Sequence, residues 1–198
     1  MIGIIKYQAG NLASVSNALD RLHADYIITD NLEELESVDA IIFPGVGHAA
    51  AAMDDLRSKD LDVWLKNTKK PVLGICLGMQ LFYESSEEGD CKALGIIPGR
   101  LKRFDSSKAK VPHMGWNKFE SVKKHPILRG IENKHFLYYV HGYYAPQSEH
   151  TLATCDYIEK FTAVTNKDNF IGVQFHPEKS GQVGSLLLQN FLDMVNSS

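Results

Sequence analysis

Cysteine is scarce. The three in 198 residues, Cys76, Cys91 and Cys155, are odd in number, widely spaced and free of any C-x-x-C pair, so neither a disulfide framework nor a structural zinc site is implied. A reducing, cytoplasmic setting is the expectation. No apolar run reaches the length of a membrane span, and Met1–Lys6 is too short, without a cationic lead or a cleavage site, for a signal peptide. A surplus of one charge is missing too: 21 Lys and Arg stand against 24 Asp and Glu, a formal net charge of −3. Scattered in this way, the cations give no electrostatic footprint for nucleic acid, and Lys108–Lys110 and Lys123-Lys124 read as solvated loop charges. His113, His141 and His150 lack metal-ligand spacing and read as core or surface residues, so no metal or cofactor is expected. Repeats, low-complexity segments and linkers are absent as well, which leaves a single domain over residues 1–198. Its composition, 44% hydrophobic and 23% charged, suits an ordinary globular core, and a chain of this length buries about 70% of the surface that its unfolded form exposes.

The apolar pattern alternates in the first half. Strand-like Ile2–Tyr7 leads to Asn11, read as a helix cap, before Leu12, Val15, Ala18, Leu19 and Leu22 at helical spacing. Strands follow at Tyr26–Ile28, Ala40–Phe43 and Val72–Ile75, with helices at Leu32–Leu35, Ala49–Arg57 and Leu61–Asn67. Such alternation implies an α/β fold: an open, mostly parallel twisted sheet with right-handed crossovers and helices on both faces. From about Glu84 to Lys134, turn signals without long periodicity read as short strands and loops packed over one edge of the sheet. Beyond them, Phe136–Ala145, Thr151–Tyr157, Thr162–Thr165 and Phe170–Phe175 read as an additional antiparallel strand region, with a hairpin turn at 166–169. Leu186, Leu187, Phe191, Leu192 and Val195 carry a closing amphipathic helix.

Gly74-Ile75-Cys76-Leu77-Gly78 directly follows the apolar strand Val72–Ile75. A strand that hands over to a helix through Gly-x-Cys-x-Gly turns so sharply that only glycine fits two residues either side, and the central side chain projects above the sheet. The N–H of Leu77 then points at the space where an oxyanion would form. Gln174-Phe175-His176-Pro177-Glu178 supplies an imidazole and a carboxylate on what reads as a strand end, where residues i and i+2 face the same way. Sites in open α/β sheets lie at the carboxyl ends of the strands, so Cys76 can serve as a thiol nucleophile, His176 as its base and Glu178 as the group that orients the base. Pro44-Gly45-Val46-Gly47 occupies the neighbouring strand's carboxyl-end loop, where free N–H groups can complete an oxyanion hole. It lacks the Lys-Ser/Thr pair of a phosphate loop. Cys91 and Cys155 have no such frame and are read as inert.

Gly74–Gln80 together with His176-Pro177-Glu178 resembles the triad-type, class I glutamine amidotransferases. Within that family Gly10–Val15, Pro44–Gly47, Pro112–Asn117, Tyr139–Tyr143 and Gly172–Ser180 are similar to the glutaminase subunits of imidazole glycerol phosphate synthases. The resemblance implies a class I amidotransferase fold. It also implies hydrolysis of L-glutamine to L-glutamate and ammonia through a cysteinyl thioester, with ammonia passed to a partner cyclase subunit in histidine biosynthesis. Carried over residue by residue, Cys76, His176 and Glu178 are the triad. Gly45, Val46, Gly47 and Leu77 fall on the oxyanion side; Gln80, Gly142 and Tyr143 fall where glutamine is held; Trp116 and Lys179 fall on the partner side. Gly142 stands where relatives often carry Ser or Thr, and His48-Ala49 follows the oxyanion loop in another departure from the pattern. Pro44–Gly47 is expected to rest with an N–H turned away and to rotate when the cyclase is loaded, because Gly45 and Gly47 permit a peptide flip. The rival readings are a glutaminase serving another acceptor, a free-standing cysteine hydrolase and a non-catalytic binding subunit.

Overall fold

The computed structural model describes residues 1–197. Its first half is the expected alternation: β1 (Ile2–Ile5), α1 (Leu12–Arg21), β2 (Tyr26–Thr29), α2 (Leu32–Ser37), β3 (Ala40–Phe43), α3 (Ala49–Ser58), α4 (Leu61–Asn67) and β4 (Val72–Ile75). After the four-residue α5 (Leu77–Gln80) come β5 (Tyr83–Ser86), β6 (Cys91–Lys92), β7 (Ile97–Arg103), β8 (His113–Lys118) and β9 (Ser121–Val122). The chain closes with β10 (Phe136–His141), β11 (Tyr143–Tyr144), β12 (Thr151–Asp156), β13 (Lys160–Lys167), β14 (Phe170–Val173) and α6 (Gly181–Asn196). The main sheet has eight strands in the order β2-β1-β3-β4-β14-β13-β12-β9. β2 through β14 pair in parallel, and β13, β12 and β9 continue the sheet antiparallel.

Alternation within the parallel strands divides the core between the two faces. Ile2, Ile4, Ala40, Ile42, Leu73 and Ile75 pack with Val15 and Leu19 of α1 and Leu187, Leu188 and Phe191 of α6. Ile5, Ile41, Phe43 and Val72 pack on the opposite face with Leu35 of α2, Met53 and Leu56 of α3, and Leu61 and Leu65 of α4. Among the described residues no helix is long and apolar enough to cross a membrane.

Four sequence expectations are corrected. The segment Phe136–Ala145 is not one strand: it breaks at Gly142, so that β10 pairs with β8 while β11 pairs with β7. The middle region does not lie over one edge. Only β9 joins the sheet edge, whereas the β8–β10 ribbon covers the carboxyl ends of β4 and β14, where the His176 N–H donates to the Tyr138 carbonyl at 2.9 Å. His176 and Glu178 lie beyond the end of β14. Pro177 has no N–H for a ladder and its fixed φ starts a helical turn, so Pro177–Lys179 form a single 3-10 turn. Asn11 precedes α1 but makes no side-chain capping bond; its amide is used elsewhere.

Candidate active site

Cys76 holds φ 53°, ψ −108°, a strained conformation of the kind that nucleophile elbows impose. The turn is possible because the flanking positions have no Cβ. One at Gly78 would lie 1.9 Å from the Phe43 carbonyl oxygen, and one at Gly74 would lie 2.6 Å from the Phe82 ring. The Cys76 thiol donates to the Val140 carbonyl on β10 at 3.8 Å and accepts from Gln174 Nε2 at 3.7 Å.

His176 Nδ1 donates to Glu178 Oε1 at 2.7 Å, both groups being buried. Its other nitrogen, Nε2, is buried without a protein hydrogen-bond partner. Burial opposes charging this ring, but the Cys76 sulfur and the Glu178 carboxylate outweigh it and hold its pKa above the ordinary histidine range. Asn11 Nδ2 donates to the same Glu178 Oε1 at 3.3 Å. The side chain that sequence assigned to a helix cap therefore braces the carboxylate, a contact that spans 167 residues and leaves no local signal.

Val46, Gly47, Cys76, Leu77, Gln80, Gly142 and Tyr143 line one cavity of about 180 Å³, together with Glu88, Val140 and His141. Gly45 lies behind its wall, where a Cβ would meet Tyr7 Oη at 2.6 Å and Gly78 N at 2.7 Å. Gln80 spends both amide hydrogens inside the protein, one on the Tyr143 carbonyl and one on Gln174 Oε1, each at 3.0 Å. Glu88 belongs to one of the turn signals, Glu88-Gly89-Asp90, of the middle region. Its carboxylate accepts from the Ala49 N–H at 2.8 Å, and burial raises its pKa. A carboxylate beside glycine in a turn motif carries no sequence mark of facing inward.

Both N–H groups expected in the oxyanion hole are turned away. Val46 N–H donates to the Ala9 carbonyl at 2.5 Å, and Leu77 N–H donates to the Gly45 carbonyl at 3.3 Å. One peptide unit, 45–46, thus supplies the acceptor that occupies Leu77 and the donor that has left the site. Tyr7 Oη holds the loop's base by donating to the Pro44 carbonyl at 2.7 Å, while Gly47 sits at φ 109° with open space around it.

Comparison with known proteins matches residues 4–195 to the family model "Glutamine amidotransferase class-I". The chain belongs to the class I glutamine amidotransferase family. A curated imidazole glycerol phosphate synthase subunit HisH from Bacteroides fragilis is 47% identical over 195 residues, covering 98% of this chain and 99% of that protein. The subunit of the same name from Pasteurella multocida is 44% identical over 98% of both chains. A solved structure of a glutamine amidotransferase superposes over 98% of both chains with TM-score 0.76 at 16% identity, which shows the shared fold.

The remaining sequence candidates divide clearly in this amidotransferase. Among the described residues no group of three or more His, Cys, Asp or Glu side chains is arranged to hold a metal ion. His113 and His141 are buried neighbours, and His150 lies beside Glu149. Cys155 is buried in β12 and burial pushes its thiol up to about 12. Cys91 opens the two-residue β6. Trp116 is 56% exposed, and Lys179 is exposed one residue beyond Glu178.

Proposed function

We propose that this chain is the glutaminase subunit of imidazole glycerol phosphate synthase, hydrolysing L-glutamine to L-glutamate and ammonia for a partner cyclase subunit in histidine biosynthesis. The observation that carries the chemistry is a buried Cys-His-Glu constellation beside a cavity whose two oxyanion donors are both occupied. Cys76 Sγ attacks the side-chain carboxamide carbon and its proton passes to His176 Nε2, while Glu178, braced by Asn11, fixes the ring. The C–N bond breaks as His176 gives that proton to the leaving ammonia. Water, deprotonated by the same imidazole, then hydrolyses the glutamyl thioester. Glu88 is the one acidic side chain among the cavity's lining residues and pairs with the substrate's α-ammonium.

The resting loop makes the isolated subunit a poor catalyst. Rotation of the 45–46 peptide about Gly45 turns Val46 N–H toward the cavity and removes the Gly45 carbonyl from Leu77 N–H, so one motion supplies both donors. The cyclase docks on the outer face of the β8–β10 ribbon, where Met114, Trp116 and Phe136 are 60%, 56% and 53% exposed. That face is bonded to the triad segment. Tyr138, in edge contact with Trp116, accepts from the His176 N–H at its carbonyl and donates its own N–H to Ser180 Oγ. The working compartment is the cytoplasm, and residues 1–198 act as one domain.

Glutamate release decides the matter, measured for the chain alone, with the cyclase, and with the cyclase and its nucleotide, using Cys76→Ser as control. Strong stimulation that the mutant abolishes is expected. Unstimulated turnover would point to a free-standing hydrolase, stimulation only by a different synthase to another acceptor, and no turnover at all to an inactive binding subunit.

A further inference from the structure

Two buried histidines, His141 in the cavity wall and His113 behind it, take no part in the chemistry above. His141 Nδ1 faces the Tyr143 carbonyl at 2.8 Å, so that nitrogen carries the proton. His141 Nε2 faces His113 Nδ1 at 3.1 Å, and His113 Nε2 faces Asn117 Nδ2 at 3.3 Å. The Asn117 amide is oriented independently, because its oxygen accepts from the Lys118 N–H at 2.8 Å and its nitrogen donates to the Asp156 carbonyl at 2.9 Å. Fixed at both ends, the chain has one consistent set of protons: Asn117 donates to His113, His113 donates to His141, and His141 donates to Tyr143.

The Tyr143 carbonyl also receives Gln80 Nε2, whose second hydrogen goes to Gln174, which in turn reaches the Cys76 sulfur. Both lone pairs of that carbonyl are therefore filled, one from the ribbon and one from the nucleophile's helix. Each imidazole is enclosed by aromatic rings: His113 stacks on Tyr157 at 4.1 Å and on Tyr139 at 5.1 Å, and His141 packs edge-on to Phe161 at 5.0 Å. Burial lowers His113 to about 4. It lowers His141 to about 3 against the opposing Tyr143 bond, with the charges of His113 and His176 helping. An added proton would set two N–H groups against each other.

We propose that the His113–His141 pair is a positioning device for glutamine binding: as two neutral imidazoles in one fixed tautomer, it clamps the Gly142–Tyr143 backbone that holds the substrate and ties it to Asn117 on the docking ribbon. The inference rests on the glutaminase reading. His141 acts through Tyr143 and is a positioning residue, so its loss affects substrate binding more than bond breaking.

Kinetics of the cyclase complex test this with His141→Phe, which loses the donor, and His141→Asn, whose amide nitrogen reaches the place of Nδ1. The phenylalanine variant is expected to raise KM for glutamine about tenfold with kcat within about threefold, and the asparagine variant to recover most of that KM. An unchanged KM in His141→Phe, or equal losses in two folded variants, would overturn the proposal. His113→Phe keeps the stack between Tyr139 and Tyr157 but removes the donor to His141; it should raise KM in the same direction and decides the question if the His141 variants do not fold. Nitrogen-15 shifts of labelled histidine in the parent chain, which need no activity, should show both rings protonated at Nδ1 and bare at Nε2 at neutral pH. A proton on Nε2 of either ring would refute the chain of donors. Absence of glutaminase activity in the parent complex would defeat the functional reading, and the tautomer measurement would still judge the clamp.

Discussion

Replacing Val46 by proline removes a single N–H that the resting loop gives to Ala9 and that, in the proposed mechanism, the active loop gives to the oxyanion. The two losses differ greatly in size. Val46 is 38% exposed, so its side chain forfeits little packing, and the bond to Ala9 is worth about 1 kcal/mol net. A shift of roughly 2–4 °C in the thermal midpoint is the expected cost for a chain of this length. In the transition state the same atom is one of two preorganised donors, and loss of one such donor costs about 2.7–4 kcal/mol, or about 10²–10³ in kcat. Proline also narrows the backbone freedom of the residue before it, here Gly45, which hinders the 45–46 rotation and acts in the same direction. The assay is nucleotide-stimulated glutamate release by the cyclase complex, with Val46→Ala as the control that keeps the N–H. Val46→Pro should lower kcat by two to three orders of magnitude with KM within about threefold, and Val46→Ala should stay within about threefold in both. A proline variant with kcat within tenfold of the parent would refute the role of this N–H, and a raised KM with kcat kept would move Val46 to substrate binding.

Asn11→Ala removes a hydrogen bond to a buried carboxylate, and single-turnover thioester formation should slow about tenfold; the thermal midpoint should fall by no more than roughly 2–4 °C, because Asn11 makes no side-chain cap on α1. The two depressed histidines should make the fold acid-sensitive. Unfolded, each ring takes a proton near pH 6.5, whereas folded His113 and His141 resist until about 4 and about 3. Stability present above pH 6.5 is then lost as pH falls, by up to about 2.7 kcal/mol per pH unit for the pair between about pH 6 and pH 4. His176, raised in the folded state, adds no slope below pH 6.5, and burial raises the facing phenol of Tyr139 away from this range. Urea unfolding at pH 6.5, 5.5 and 4.5 checks this, and His113→Phe should roughly halve the slope. Trp116→Lys should weaken cyclase binding by about 2 kcal/mol or more in calorimetry while leaving the isolated subunit's midpoint unchanged. Thiol alkylation of the folded chain should modify Cys76 and spare Cys155, which unfolding would expose.

The parallel half of the fold was legible because each of its strands is short, continuously apolar and followed by a helix with helical spacing, as at Ala40–Phe43 and Val72–Ile75. Glycine marked the elbow because a Cβ at Gly78 would run into the Phe43 backbone, a constraint that the local motif states directly. The middle strands were not legible. β7 and β8 pair with partners far along the chain, and their exposure alternates around glycines that break any local period. The break at Gly142 looked like continuous strand because both flanking pieces are extended and differ only in which strand they meet. Asn11, Gln174 and Glu88 escaped for a related reason. Their side chains look locally like a cap, a strand residue and a turn residue, and only the fold brings them to Glu178, Cys76 and the cavity.

The closed oxyanion site has a physical reason that the sequence alone does not carry. Two backbone N–H groups left unpaired in a dry pocket would cost about 1–3 kcal/mol each, so an empty active site with a preformed hole is unstable unless something occupies it. Here the protein's own carbonyls, Ala9 and Gly45, take both donors. Opening the hole exchanges one long bond of 3.3 Å and one short bond of 2.5 Å for contacts that exist only when substrate is present. An off state favoured by about 2.7 kcal/mol leaves roughly 1% of the chains competent, which is enough to make the isolated subunit nearly silent. It is also small enough for partner contacts on the β8–β10 ribbon to reverse. Because both donors depend on the same peptide, the loop cannot present one without freeing the other, and in the proposed mechanism this ties glutamine hydrolysis to the arrival of the subunit that uses the ammonia.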